Sequence, residues 1–210
     1  TNVSSLNNSN AYSILFTASS YLQLSGAAVG NLSSGSTGDY TVEAWVYLNS
    51  TPTGTAFNSC FTIVSYGNGG GGLWGLYAIT SSGYLVMTRD GASYLNLTAT
   101  IPSLLKWSHI AVVNVGTTIT VYLNGSSVGS VSSTGTWTSS QTYTGVGGMP
   151  PSTSFLGYIS NVRLVKNQAL YTSNFTPSTS PFTTTSQGAT ASNVTLLTAQ
   201  NTSIVDNSTN

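Results

Sequence analysis

Apolar and aromatic residues recur along this chain in short alternating runs, broken by Gly, Ser, Asn and Pro, and this pattern predicts antiparallel strands. Strands are expected at residues 13–16, 21–24, 40–48, 61–66, 74–79, 84–89, 95–99, 108–115, 118–123, 128–132, 143–146 and 155–165. In the run 40–48, Val42, Ala44, Val46 and Leu48 share one face, and Thr41, Glu43, Trp45 and Tyr47 share the other. Both faces carry large residues, so this strand is expected to be central and covered on both sides. Ser82-Gly83, Asp90-Gly91 and Asn124-Gly125 sit between alternating runs as hairpin turns, and Val115-Gly116-Thr117 is a further tight connection. More than ten short strands with one helical turn at most, at 167–171, predict an all-β fold, a two-sheet antiparallel β-sandwich or jelly roll.

The texture changes after Asn174, where Phe175-Thr-Pro177 and Pro181-Phe182 punctuate a Ser/Thr-rich stretch. An extended segment crossing the surface is expected there, pinned by Phe175 and Phe182. Late strands at 193–198 and 203–205 are expected to pair with the opening strand 13–16. One domain over 1–210 follows, with a core at about 13–165 and an extended segment at 166–210 that packs back on it.

Charge alters the functional picture more than the fold. Only 4% of residues are charged, against roughly 25% in an ordinary domain. The cations are Arg89, Lys106, Arg163 and Lys166; the acids are Asp39, Glu43, Asp90 and Asp206. No basic stripe can track a phosphate backbone or an anionic membrane, and no apolar run is long enough to span a bilayer. Cys60 is the only cysteine, which excludes an intrachain disulfide and a zinc cluster. No signal peptide is visible at Thr1, where processing or excision from a longer chain is expected to have set the first residue.

Three segments carry a family resemblance. Asp39 to Val46 (DYTVEAWV) resembles the early core strand of laminin-G-like and concanavalin A-like domains. Trp107 to Val113 (WSHIAVV) with Ile119 to Gly125 (ITVYLNG) resembles their paired central strands and hairpin, and Phe155 to Arg163 (FLGYISNVR) resembles the closing strand. The tail from Arg163 to Pro177 is similar to a version of this domain common in phage virion proteins. The resemblance implies a concanavalin A-like jelly roll at a virion surface or outside the cell.

That family includes glycoside hydrolases, which need two carboxylates flanking the bond. The resemblance implies a Glu-x-Asp-x-x-Glu pattern on one strand, but Glu43 is the only glutamate, and positions 45 and 48 are Trp and Leu. Asp39 and Glu43 would lie about 13 Å apart on a strand. No catalytic residue is therefore assigned. His109, with no assignable nucleophile or orienting acid, is expected to be a packed strand residue. Calcium is the one cofactor considered: relatives bind it, and Asp39 and Asp90 are the available donors. For sugar, Tyr66, Asn68 and Trp74 in a glycine-rich loop, together with Trp137, offer aromatic faces and an amide; the alternative places Trp74 in the core with the glycine run as a loop tip.

Ten Asn-x-Ser/Thr triplets exceed the roughly six expected by chance too modestly to establish glycosylation. The expected role is a non-catalytic surface module of a tail fibre, appendage or capsid decoration that binds cell-surface glycans. The alternative is a structural subunit packing on its own copies or on virion proteins, where low charge limits repulsion. A polysaccharide-degrading enzyme is the third.

Overall fold

The computed structural model describes residues 12–25, 38–54, 60–66, 75–89, 93–132, 143–149, 153–202 and 204–208. Their strands form two antiparallel sheets, as the alternation requires. The first runs in the spatial order β1 (Ile14–Phe16), β14 (Gly157–Lys166), β3 (Tyr40–Leu48), β8 (Trp107–Val115), β9 (Thr118–Leu123) and β10 (Ser126–Ser132), with β15 (Val194–Thr198) also paired to β14. The second runs β2 (Leu22–Ser25), β11 (Tyr143–Val146), β4 (Phe61–Tyr66), β5 (Gly75–Thr80), β6 (Gly83–Arg89) and β7 (Ser93–Thr98). A two-residue ladder joins β12 (Gly148–Met149) to β13 (Thr153–Ser154). Both sheets contribute to one core: Val42, Val46, Ile110, Val112, Val121, Ile159 and Leu164 from the first, Phe61, Ile63, Ile79, Tyr84 and Val146 from the second.

Strand β3 is central, between β14 and β8, and both of its faces are covered. Its inner residues enter the core; its outer residues Thr41, Glu43 and Trp45 lie under the chain that follows β14. That chain, residues 167–193, crosses the outer face of the first sheet as a strap. Thr41 Oγ1 donates to Gln168 O and accepts from Leu170 N–H; Trp45 Nε1–H donates to Ser178 O. Phe182 N–H donates to Asn161 Oδ1, and Gln168 clasps the strap to itself by donating to Gly188 O and accepting from Thr190 N–H. Phe182 is buried with Val165, Ala189, Val194 and Leu197, and Phe175 packs beside Tyr171 and Tyr122.

Three expectations need correction. The late strand Val194–Thr198 pairs with β14, not with β1; β1 takes Gly157–Ile159 and β15 takes Val162–Val165, so the two follow one another along one edge. Ile204 and Val205 are in no strand, and Ser203 is outside the described residues. No helical turn forms at 167–171, where Asn167 has a φ of 57° and the backbone turns into the strap; the 3₁₀ turns lie later, at Ser186–Gly188 and Ala191–Asn193.

The Asn124-Gly125 turn has positive φ at both residues, 51° and 79°, as the tight hairpin between β9 and β10 requires. It also docks the strap. Phe175 N–H donates to Gly125 O, and Ser127 N–H donates to Asn174 Oδ1. A Cβ on Gly125 would sit 1.9 Å from Phe175 O. Gly125→Ala should therefore lose about 2 kcal/mol or more, read as a fall of several degrees in Tm. An unchanged Tm would show that the strap is not seated on this turn.

Candidate functional site

Glu43, His109, Arg163 and Tyr171 meet between β3, β8, β14 and the strap. Strand register puts Glu43 opposite Ala111 on β8 and Arg163 on β14, with His109 one outward step away, opposite Trp45. A β-bulge between Ser160 and Arg163, centred on Asn161 with a φ of 52°, sets this alignment. Without the extra residue, Val162 would stand opposite Glu43; with it, Val162 turns into the core and Arg163 faces the carboxylate.

Glu43 is fully committed. Its Oε1 accepts from Arg163 Nε at 2.8 Å and from Arg163 Nη2 at 2.5 Å; its Oε2 accepts from Tyr171 OH at 2.9 Å and lies 3.1 Å from His109 Nε2. The remaining guanidinium nitrogen, Nη1, donates to Thr183 O, Ser186 O and Ser186 Oγ, so the same arginine holds the strap. The guanidinium also lies 4.7 Å over the ring of Phe182. Side chains of Glu43, His109 and Arg163 are sealed from solvent. Burial alone would raise the Glu43 pKa, but the hydrogen bond from His109 and the charge of Arg163 outweigh it and hold the carboxyl below its ordinary value. Burial, reinforced by the adjacent carboxylate, raises the Tyr171 pKa, so the phenol remains a donor. The His109 ring is boxed by Trp45, Tyr171, Phe175 and Phe182, each meeting it at a steep angle.

This arrangement is a buried ion pair that ties the strap to β3 and β14. A glycosidase carboxylate must reach a sugar and have a second carboxyl facing it. Glu43 reaches only protein. Asp39 Oδ1 accepts from Gly116 N–H, tying the chain entering β3 to the turn between β8 and β9, and Asp206 Oδ1 accepts from Leu197 and Ser208 N–H. Among the described residues no three His, Cys, Asp or Glu gather as a metal site. The expected second calcium donor, Asp90, lies outside the described residues. His109 is a packed strand residue bonded to Glu43.

Of the residues expected to bind sugar, Asn68, Trp74 and Trp137 also lie outside the described residues. Tyr66 closes β4, where its backbone pairs with Thr144 and Gly75. A different aromatic group is in view. Register places Tyr47 between Trp107 on β8 and Tyr158 on β14, with Leu15 of β1 beside Tyr158, all on the outer face. Ring centroids are 5.7 Å apart for Tyr47–Trp107, 5.8 Å for Tyr47–Tyr158 and 6.5 Å for Trp107–Tyr158. All three rings are half-buried, and Leu15 is exposed. The sequence signals for this cluster were the Trp45/Tyr47 alternation and the isolated Trp107 and Tyr158; what joins them is cross-strand register.

The family model described as the concanavalin A-like lectin/glucanases superfamily matches residues 16–173. No curated protein matches the chain by sequence. Among solved structures, the "putative carbohydrate binding protein" of Bacteroides ovatus aligns over 92% of this chain and 53% of its own, at 13% identity and a TM-score of 0.54. Domains LG4-5 of the mouse laminin alpha1 chain align over 80% of this chain and 47% of theirs, at 17% identity and a TM-score of 0.51. The sialidase of Trypanosoma rangeli aligns over 77% of this chain and 26% of its own, at 15% identity and a TM-score of 0.52. The chain thus spans about half the length of the first two, and at these identities the likeness is one of fold. With both sheets built and the family model covering most of its length, the chain belongs to the concanavalin A-like lectin/glucanase superfamily, in its laminin-G-like form.

Proposed function

We propose that this chain is a non-catalytic carbohydrate-binding module that works outside the cell, on a virion or cell surface. The superfamily joins lectins to glucanases, and one observation favours binding over hydrolysis here. The only glutamate is sealed beneath the strap and bound by Arg163, Tyr171 and His109. Hydrolysis needs a carboxyl pair at the sugar, whereas binding needs only aromatic faces and polar edges. The virion placement rests on the resemblance of the tail from Arg163 to Pro177.

Affinity electrophoresis through gels containing soluble polysaccharides tests the reading, with reducing-end release assayed on the same panel. Retarded migration without new reducing ends is the expected result. Sustained release of reducing ends by the purified chain would overturn the non-catalytic assignment. A second reading, a self-packing structural subunit, is favoured by the exposed Leu15, Leu104, Leu105, Ile204 and Val205. Sedimentation at high concentration distinguishes it: concentration-dependent assembly supports that reading, and a persistent monomer opposes it.

A further inference from the structure

Three aromatic side chains in the interior of this fold have their polar atoms bonded to protein. Trp45 Nε1–H is bonded to Ser178 O, Tyr84 OH to Thr100 O and Tyr171 OH to Glu43. The cluster of Tyr47, Trp107 and Tyr158 differs. Its rings pack on one another, yet neither phenol hydroxyl nor the indole N–H has a hydrogen-bond partner among the described residues. Buried Tyr and Trp ordinarily find such partners, and these residues concentrate where one side is apolar and the other wet. The cluster lies beside the point where the strap crosses β3 at Trp45, and its rings remain partly open to solvent.

We infer that Tyr47, Trp107 and Tyr158 form a binding platform for one ring of a neutral saccharide on the outer face of the first sheet; this deepens the carbohydrate-binding reading and rests on it. A sugar ring has an apolar face and a hydroxyl rim, which matches half-buried aromatic faces with three unspent polar groups at their edges. A purely apolar partner would leave those three groups unpaired. No charged side chain belongs to the cluster; Lys106, exposed and next to Trp107 in sequence, is its nearest charge along the chain. The three ring centroids lie 5.7, 5.8 and 6.5 Å from one another, a triangle about the size of one sugar ring.

Titration calorimetry of the intact chain with soluble β-glucan, xylan, arabinan and galactomannan, and with acidic polygalacturonate, tests the inference. Trp107→Ala should weaken binding to a neutral polysaccharide at least about tenfold, and Tyr158→Ala several-fold, as aromatic anchors do. Tyr47→Phe and Tyr158→Phe, which keep the rings and remove only hydroxyls, should show smaller losses with unchanged melting. They carry the test if the alanine variants fold poorly. Neutral polysaccharide bound equally by the wild type and all four variants would overturn the platform while leaving the carbohydrate-binding reading intact. Binding only to polygalacturonate, abolished by Lys106→Ala, would overturn the neutral ligand. No binding to any of the five would remove the reading and the platform together.

Discussion

Replacing Arg163 with alanine is expected to cost about 3–5 kcal/mol, because it leaves the Glu43 carboxylate sealed in the protein without its counter-charge. Urea denaturation of the purified variant measures it. The same change removes three hydrogen bonds to the strap, so proteolysis within 167–193 should accelerate in parallel. The paired variant Glu43→Leu with Arg163→Met separates charge from packing. Apolar replacement of both partners of a buried pair is often neutral, so it should recover much of the loss. A single variant as stable as the wild type would show that the carboxylate is not confined as described. The sign of the pH dependence follows from the same group. Its folded pKa lies below the ordinary 4.5, so its contribution is fully present above that value and is lost as pH falls through the lower folded one. Thermal melts should therefore fall on acidification below about pH 4, and Glu43→Gln should flatten that slope while lowering stability at neutral pH.

Phe182→Ala carries the second large effect, about 3–5 kcal/mol, since it empties a site buried among Val165, Ala189, Val194 and Leu197. The ring also faces His109 at 5.9 Å and supports the Arg163 guanidinium. Phe182→Leu should recover part of the loss through refilled volume, while lacking the ring beneath the cation. Equal losses for the two would assign the effect to the ring's interaction with Arg163 and His109 rather than to the cavity. Differential denaturation of the two variants decides between them.

The short apolar runs of β3, β8 and β14, set off by turn residues, made the sandwich readable, because strands covered on both faces carry large residues at successive positions. The strap was readable in outline from Phe175, Phe182 and the prolines around them. The centre of the molecule was not. Glu43, His109 and Arg163 look like scattered polar residues in apolar strands, and only the bulge at Asn161 brings Arg163 opposite Glu43. A one-residue shift in register has no periodic signature, so alternation counted along β14 puts Val162 there. The pairing of Tyr47 with Trp107 and Tyr158 was hidden for the same reason: residues more than 45 apart in sequence become neighbours through register. Likewise, both terminal strands could be anticipated, but not that they would share an edge.

That shared edge has a consequence for the order in which the chain can fold. Ile14 pairs with Ile159, and Leu197 pairs with Arg163. Tyr12 O and Ala199 O converge on the Ser160 hydroxyl, and Ala199 O also accepts from Asn161 N–H. During synthesis, β1 must therefore wait for β14, its neighbour among the described strands of the first sheet. Closure over such distances places the domain among slow, high-contact-order folders. In that interval, the sheet is one strand short, and Phe16, buried in the finished fold, has no place to go but solvent or another chain.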